Sequence, residues 1–196
     1  MNMSYKSGLR AALLMLFAFT LAACDKQEEA PVKLDPVAFH EADECHVCGM
    51  IIADFPGPKG QAVERNEVKK FCSTAEMLSW WLQPENRILD AQLYVHDMGQ
   101  SHWDQPDDDH LIDAREAWYV SGTPLKGAMG ASLASFADQA AAEALAAEHN
   151  GTVLRFDEID QEFLQQAAAA QHGDMHEIMQ QGDMHEMGDI MQGDMH

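Results

Sequence analysis

From Ala11 to Ala23 the chain is almost unbrokenly apolar for 13 residues, and it then meets Cys24. A helix needs about 20 residues to cross a bilayer, so this run is too short to span one and has the length of the apolar part of an export signal. Lys6 and Arg10 supply the positive start of such a signal. Its end, Leu21-Ala22-Ala23-Cys24, resembles the bacterial lipobox, in which small residues precede a cysteine that is lipidated and becomes the new N-terminus. The competing reading is an ordinary cleavage site beside a chance cysteine. On the lipobox reading residues 1–23 are a signal peptide, Cys24 is the lipidation site, and the chain folds on the periplasmic side of a bacterial membrane, held to the lipid bilayer. Asp25 resembles the residue that retains such proteins at the inner membrane, which favours that location.

Export places Cys45, Cys48 and Cys72 in an oxidising compartment, where some pair of them forms a disulfide unless a metal or a partner keeps them reduced. It also sharpens the charge. The whole chain carries 12 Lys+Arg against 33 Asp+Glu, or −21; removing Lys6 and Arg10 with the signal leaves 10 against 33, or −23. Such a surface repels phosphate backbones, which excludes nucleic acid as a partner, and attracts cations. Thirteen Met and ten His are unusual for this length, and both residue types are ligands for soft or borderline metals.

Residues 24–39 are charged and broken by Pro31 and Pro36, and read as a tether. The body follows over residues 40–166. Gly49 to Ala53 and Gln61 to Val68 read as strands around the turn-forming Phe55-Pro56-Gly57-Pro58-Lys59-Gly60. Ser73 or Thr74 caps a helix from Ala75 to Leu82, with Met77, Leu78, Trp81 and Leu82 on one face, and Pro84 stops it. Leu89 to His96 reads as a strand. The order then recurs. Leu111 to Ala114 and Ala117 to Ser121 read as strands, Ser135 or Asp138 opens an alanine-rich helix, Asn150-Gly151 closes it, and Thr152 to Phe156 is a strand. Strand, strand, helix, strand twice over predicts an α+β fold of two related ββαβ units, at about residues 45–98 and 99–160.

Cys45-His46-Val47-Cys48-Gly49-Met50 carries the most specific chemistry. Haem attachment needs His after the second cysteine, and Gly49 stands there. A thiol oxidoreductase pair opens a helix after a strand, whereas this pair precedes one. A zinc-stabilised structural or docking module needs four ligands, and with Cys72 the only further thiol it would need a His as well. Cu(I) is selected by soft thiolate and thioether ligands. On a strand Cys48 and Met50 share a face, and Met129, between Gly127 and Gly130, offers a remote thioether on a bend. Met98 reads equally as packing or ligand. His96 and His102, among Asp97, Asp104 and Asp107 to Asp109, read as a solvated loop. No nucleophile–base pair or phosphate loop stands out, so the chain does not read as an enzyme.

These segments together resemble the NosL family: the Cys45-to-Met50 motif with the Phe55-to-Gly60 loop, Tyr94-Val95-His96-Asp97-Met98, Ala117-Trp118-Tyr119-Val120, Ala128-Met129-Gly130, and Glu148-His149-Asn150-Gly151 through Leu154 to Ile159. The resemblance covers residues 41–159 and the lipobox. It implies a lipid-anchored periplasmic Cu(I) chaperone of two ββαβ units, which delivers copper for the copper–sulfur centre of nitrous oxide reductase through a membrane ABC-type assembly complex. Carried over by motif, the copper ligands are Cys48 and Met129, then Met50 and Cys45. The tail, residues 167–196, lies outside the family pattern. From residue 171 on it has six Met, four His, six acids and no Lys or Arg, in three Gly-Asp-Met-His copies. Its composition predicts disorder without a ligand. His172, Met175, His176, Met184, His185, Met195 and His196 pair thioether with imidazole, a set suited to secondary capture of copper in either oxidation state.

Overall fold

The computed structural model describes residues 34–128 and 132–170. Its strands are short and its helices begin on side-chain caps. In chain order they are β1 (Gly60–Val63), β2 (Val68–Phe71), α1 (Thr74–Trp81), β3 (Gln92–His96), β4 (Leu111–Asp113), β5 (Trp118–Ser121), β6 (Ala134–Phe136), α2 (Gln139–His149) and β7 (Thr152–Arg155). A third helix, α3, occupies residues 161–170.

The strands form two antiparallel sheets, ordered β2-β1-β3-β4 and β6-β5-β7. Within each unit the middle position belongs to the first strand, flanked by the second and by the strand after the helix. The fold is therefore α+β with ββαβ repeated, the class expected, although the strands that pair within each unit are not all the expected ones.

Helix starts follow from local chemistry. The Ser73 side chain accepts the Glu76 N–H at 3.1 Å, and Asp138 accepts that of Ala141 at 3.0 Å, each satisfying a donor that the first helical turn leaves unpaired. Asn150 closes α2 in the left-handed region at φ 55. Packing then fixes where the helices lie. A Cβ on Gly60 would stand 2.8 Å from Met77 Cβ, so α1 can lie on β1 only because residue 60 has no side chain. Gly151 makes the corresponding approach in the second unit, where a Cβ would meet the Ser121 carbonyl oxygen at 2.7 Å. Buried Phe71, Met77, Leu78, Leu93 and Tyr119 build the larger core; Val120, Phe136, Ala142 and Ala146 build a smaller one under α2.

Three strand expectations need correction. Gly49 to Ala53 is no strand: only Ile51 bridges Glu44, and Ile52–Asp54 is a single 3-10 turn. The reason is the tight turn before it, where Gly49 takes φ 71 and its N–H bonds the Cys45 carbonyl at 2.9 Å. Gln61 to Val68 is not one strand but the hairpin β1–β2, with the Glu64 N–H bonded to the Glu67 carbonyl at 2.8 Å. Leu111 to Asp113 does not open the second sheet; it pairs with β3 and closes the edge of the first. Ser135 does not start a helix but sits in β6, a strand the sequence reading passed over, and its hydroxyl donates to the His96 carbonyl at 2.7 Å.

Candidate metal centre

Four side chains converge where β2 runs into α1. Cys72 is the residue after β2 and Glu76 lies in the first turn of α1, while Cys45 and Cys48 come from the turn before β1. That turn is held by Cys45 N–H to the Met50 carbonyl at 2.9 Å and docked on β2 by His46 N–H to the Lys70 carbonyl at 2.8 Å. The sulfurs of Cys45, Cys48 and Cys72 and a Glu76 carboxylate oxygen all lie within 4.8 Å of one another. The Cys48 and Cys72 sulfurs are 3.7 Å apart; Glu76 Oε2 lies 2.7 Å from Cys72, 3.6 Å from Cys45 and 3.8 Å from Cys48.

Ser73-Thr74-Ala75-Glu76 has the S-x-x-E pattern of a capping box, in which the glutamate side chain returns to the cap N–H. Here Ser73 caps as expected but the Glu76 carboxylate accepts from the Cys72 thiol instead. Cys45 and Cys72 are buried and Cys48 is half-buried beside Val47, which is exposed, so the cluster opens to solvent on the Cys48 side.

The thiols are not equivalent. A hydrogen bond from Cys72, with further support from the Cys48, Cys72 and Val47 backbone, holds Cys45 down to about 4 against its burial. Cys72 is pushed above the usual thiol range by its neighbour Cys45, by burial and by the Glu76 carboxyl group it donates to. Burial raises Cys48 and Glu76 as well. Three cysteine sulfurs and one carboxyl group thus face one point, and Cys45 is the thiol most readily deprotonated. That is a soft, anionic donor set, and a bound cation would relieve the crowding of negative charge within it.

The structure thus brings together Cys45 and Cys48, both expected from the motif, and adds two that the motif did not assign. Cys72 was a spare thiol in the sequence. Glu76 was invisible as a ligand because its spacing already had a helix-capping explanation. Met50 is half-buried, and without a strand at 49–53 alternation no longer sets it on the Cys48 face; its backbone supports the Cys48 sulfur. Met98 packs against the smaller core. His96 is not in a solvated loop: it is buried, accepts the Lys59 N–H on Nδ1 at 3.0 Å, and stands 3.0 Å from Asp108 through Nε2. Cys24, Met129 and the tail residues from His172 to His196 lie outside the described residues.

The NosL family profile matches residues 36–164, which takes in the whole cluster. The chain belongs to the NosL family. It is 67% identical over 177 residues to the copper-binding lipoprotein NosL of Stutzerimonas stutzeri, covering 90% of this chain and 93% of that one. It is 33% identical over 161 residues to the copper-binding lipoprotein NosL of Achromobacter cycloclastes, covering 79% of this chain and 81% of that one. The crystal structure of the copper chaperone NosL from Shewanella denitrificans superposes with a TM-score of 0.64 at 43% identity, covering 66% of this chain and 98% of that one. The NosL fold expected from the motifs is therefore the fold observed. Among the described residues no helix is long and apolar enough to cross a membrane.

Proposed function

We propose that this chain is a Cu(I) carrier, not an enzyme, anchored through Cys24 on the periplasmic side of the membrane, the inner one on the evidence of Asp25. It delivers copper, through a membrane ABC-type assembly complex, for the copper–sulfur centre of nitrous oxide reductase. The observation that carries the copper reading is the convergence of three thiols and one carboxylate within 4.8 Å, open on one side. Thiolates select Cu(I), and an accessible Cys48 edge lets an acceptor's ligand enter before the last donor leaves. The ligands we assign are Cys48 and Cys45, with thioether from Met129 and Met50 as the family resemblance implies; Cys72 and Glu76 complete the pocket.

The tail is assigned to capture. Flexible ligands lose freedom on binding, so each Gly-Asp-Met-His site is weaker than a preformed one and hands copper on to the body. The same four-donor set also matches the tetrahedral demand of Zn(II), with Glu76 in the place that the sequence reserved for a histidine. This keeps a zinc-stabilised module as the second reading.

An anaerobic Cu(I) titration against a coloured chelator separates them. It compares the chain from Asp25 onward with the same chain ending at Ala170, and with Cys48→Ala and Met129→Ala versions of the shorter one. One tight site that survives tail removal and vanishes with Cys48 supports the carrier. Loss of fold on chelation, with no Cu(I) site in the body, would leave the zinc module. A tail-deleted chain that acquires limiting copper as fast as the longer one would refute the capture role.

A further inference from the structure

The cysteine turn is closed on itself, by Cys45 N–H to the Met50 carbonyl and Ile52 N–H to the Asp43 carbonyl, both at 2.9 Å. What remains to be fixed is where this unit sits over Cys72 and Glu76. Among the described residues two bonds join it to β2, and both use Lys70. Its carbonyl takes the His46 N–H at 2.8 Å, and its ammonium pairs with the Asp43 carboxylate. The same ammonium donates to the Ala38 carbonyl at 2.6 Å and lies 5.3 Å from the centre of the Phe39 ring. The Lys70 side chain is 11% exposed, so its pair is better shielded from water than an ordinary surface ion pair.

Register explains why Lys70 reaches that segment. Lys70 pairs with Gln61 across β1 and β2, and Gln61 pairs with Tyr94 across β1 and β3, so the three side chains form a row on one face of the first sheet. Residues 34–38 cross this row as a strap. The Tyr94 hydroxyl donates to the Leu34 carbonyl at 2.6 Å, the Gln61 amide exchanges two bonds with Val37 at 2.8 and 2.9 Å, and Lys70 reaches Ala38. Gln61 is fully buried, and the strap satisfies its amide. At the end of the row Lys70 holds the chain at Ala38, at Asp43 two residues before Cys45, and at His46 just after it.

We propose that Lys70 is a positioning residue for the thiol centre: it seats the cysteine turn so that Cys45 and Cys48 face Cys72 and Glu76. The inference rests on the cluster being the metal site. Lys70 acts through Asp43 and the His46 backbone, not as a ligand. Residues that orient ligands from behind change metal affinity by about 10–100-fold. The sign of the effect separates positioning from charge. Taking one positive charge away from a cation site favours the cation, whereas an unseated turn weakens its binding.

The test is chelator competition for Cu(I), run anaerobically on the full mature chain. Thiolate-to-Cu(I) ultraviolet absorption reports the cysteine cluster separately from the Met/His tail. Lys70→Met is expected to weaken the site by about tenfold. Lys70→Arg, which keeps a charge for Asp43, is expected to recover most of that loss. Lys69→Met is the control: it removes the same charge one residue away, where the ion pairs go to Glu64 and Glu67, and should leave Cu(I) binding no weaker. Unchanged affinity in Lys70→Met overturns the proposal, and so does equal weakening in Lys70→Arg or in Lys69→Met. Asp43→Asn removes the pair from its other side and should match Lys70→Met; if both chains lose their fold by circular dichroism, the pair is structural and the proposal falls. A wild-type chain with no thiolate-to-Cu(I) band removes the site reading itself, and this inference with it, a result distinct from unchanged affinity in a chain that shows the band.

Discussion

Both ββαβ units end their second strand on phenylalanine and cap the following helix two residues later. In the first the run is Phe71-Cys72-Ser73-Thr74-Ala75-Glu76; in the second it is Phe136-Ala137-Asp138-Gln139-Ala140-Ala141. The caps Ser73 and Asp138 do the same work on the same backbone frame. Where the first unit has the donors Cys72 and Glu76, the second has Ala137 and Ala141. The first also has a Cys-x-x-Cys turn docked on its edge strand, while Ala137 N–H bonds the Asp97 carboxylate. One frame thus serves twice, once with the thiol cluster and once without it, and the difference lies in two side chains and one loop.

The comparison breaks most visibly at the donors. Cys48→Ala in a chain ending at Ala170 is expected to weaken Cu(I) binding by more than about a hundredfold, beyond what loss of a supporting residue costs. Ala137→Cys with Ala141→Glu in the second unit is expected to add no second tight site, because no cysteine turn faces it; chelator competition reads both. A second tight site would mean that the junction alone suffices.

The two glycines give the next effect. Gly60→Ala and Gly151→Ala each force a Cβ into contact below 3 Å, with Met77 and with the Ser121 carbonyl oxygen, and each should destabilise by about 1–3 kcal/mol in urea unfolding. Gly60→Ala also pushes on the helix that carries Glu76, so only this variant should alter Cu(I) affinity.

Ser73→Ala and Asp138→Ala should each cost about 1 kcal/mol. Thermal unfolding compares them, and equal losses would show the two frames to be energetically alike as well.

The smallest effect is in acid. Asp108 is held below its ordinary 3.8, against its burial, by hydrogen bonds from His96 and the Phe39 N–H. A carboxylate lowered on folding adds stability that is complete above its unfolded value and fades as pH falls through the folded one. The melting temperature should therefore drop below about pH 4, and less steeply in Asp108→Asn. Equal slopes would remove Asp108 from the account.

Much of this frame is written locally. Ser73, Asp138 and Asn150 mark helix ends because their side chains or backbone freedom act within a few residues, and the order of elements follows from those marks. The Cys-x-x-Cys turn is local too. What sequence reasoning missed depends on register. β6 has only three residues and too little alternation to stand out. The edge position of β4 depends on β3 having a free side. Cys72 and Glu76 join Cys45 and Cys48 only because β2 docks under the cysteine turn, and nothing within a short window reports that. Glu76 was masked further by a spacing that helix capping already explains.

The central claim is that copper sits among the thiols of the first unit. X-ray absorption at the copper edge of the Cu(I)-loaded full-length protein tests it directly, with Cys48→Ala measured beside wild type. The account predicts a first shell dominated by sulfur that loses one sulfur neighbour in Cys48→Ala. A shell of nitrogen and oxygen, or one unchanged when Cys48 and Cys72 are both replaced by alanine, would place the copper elsewhere and contradict it.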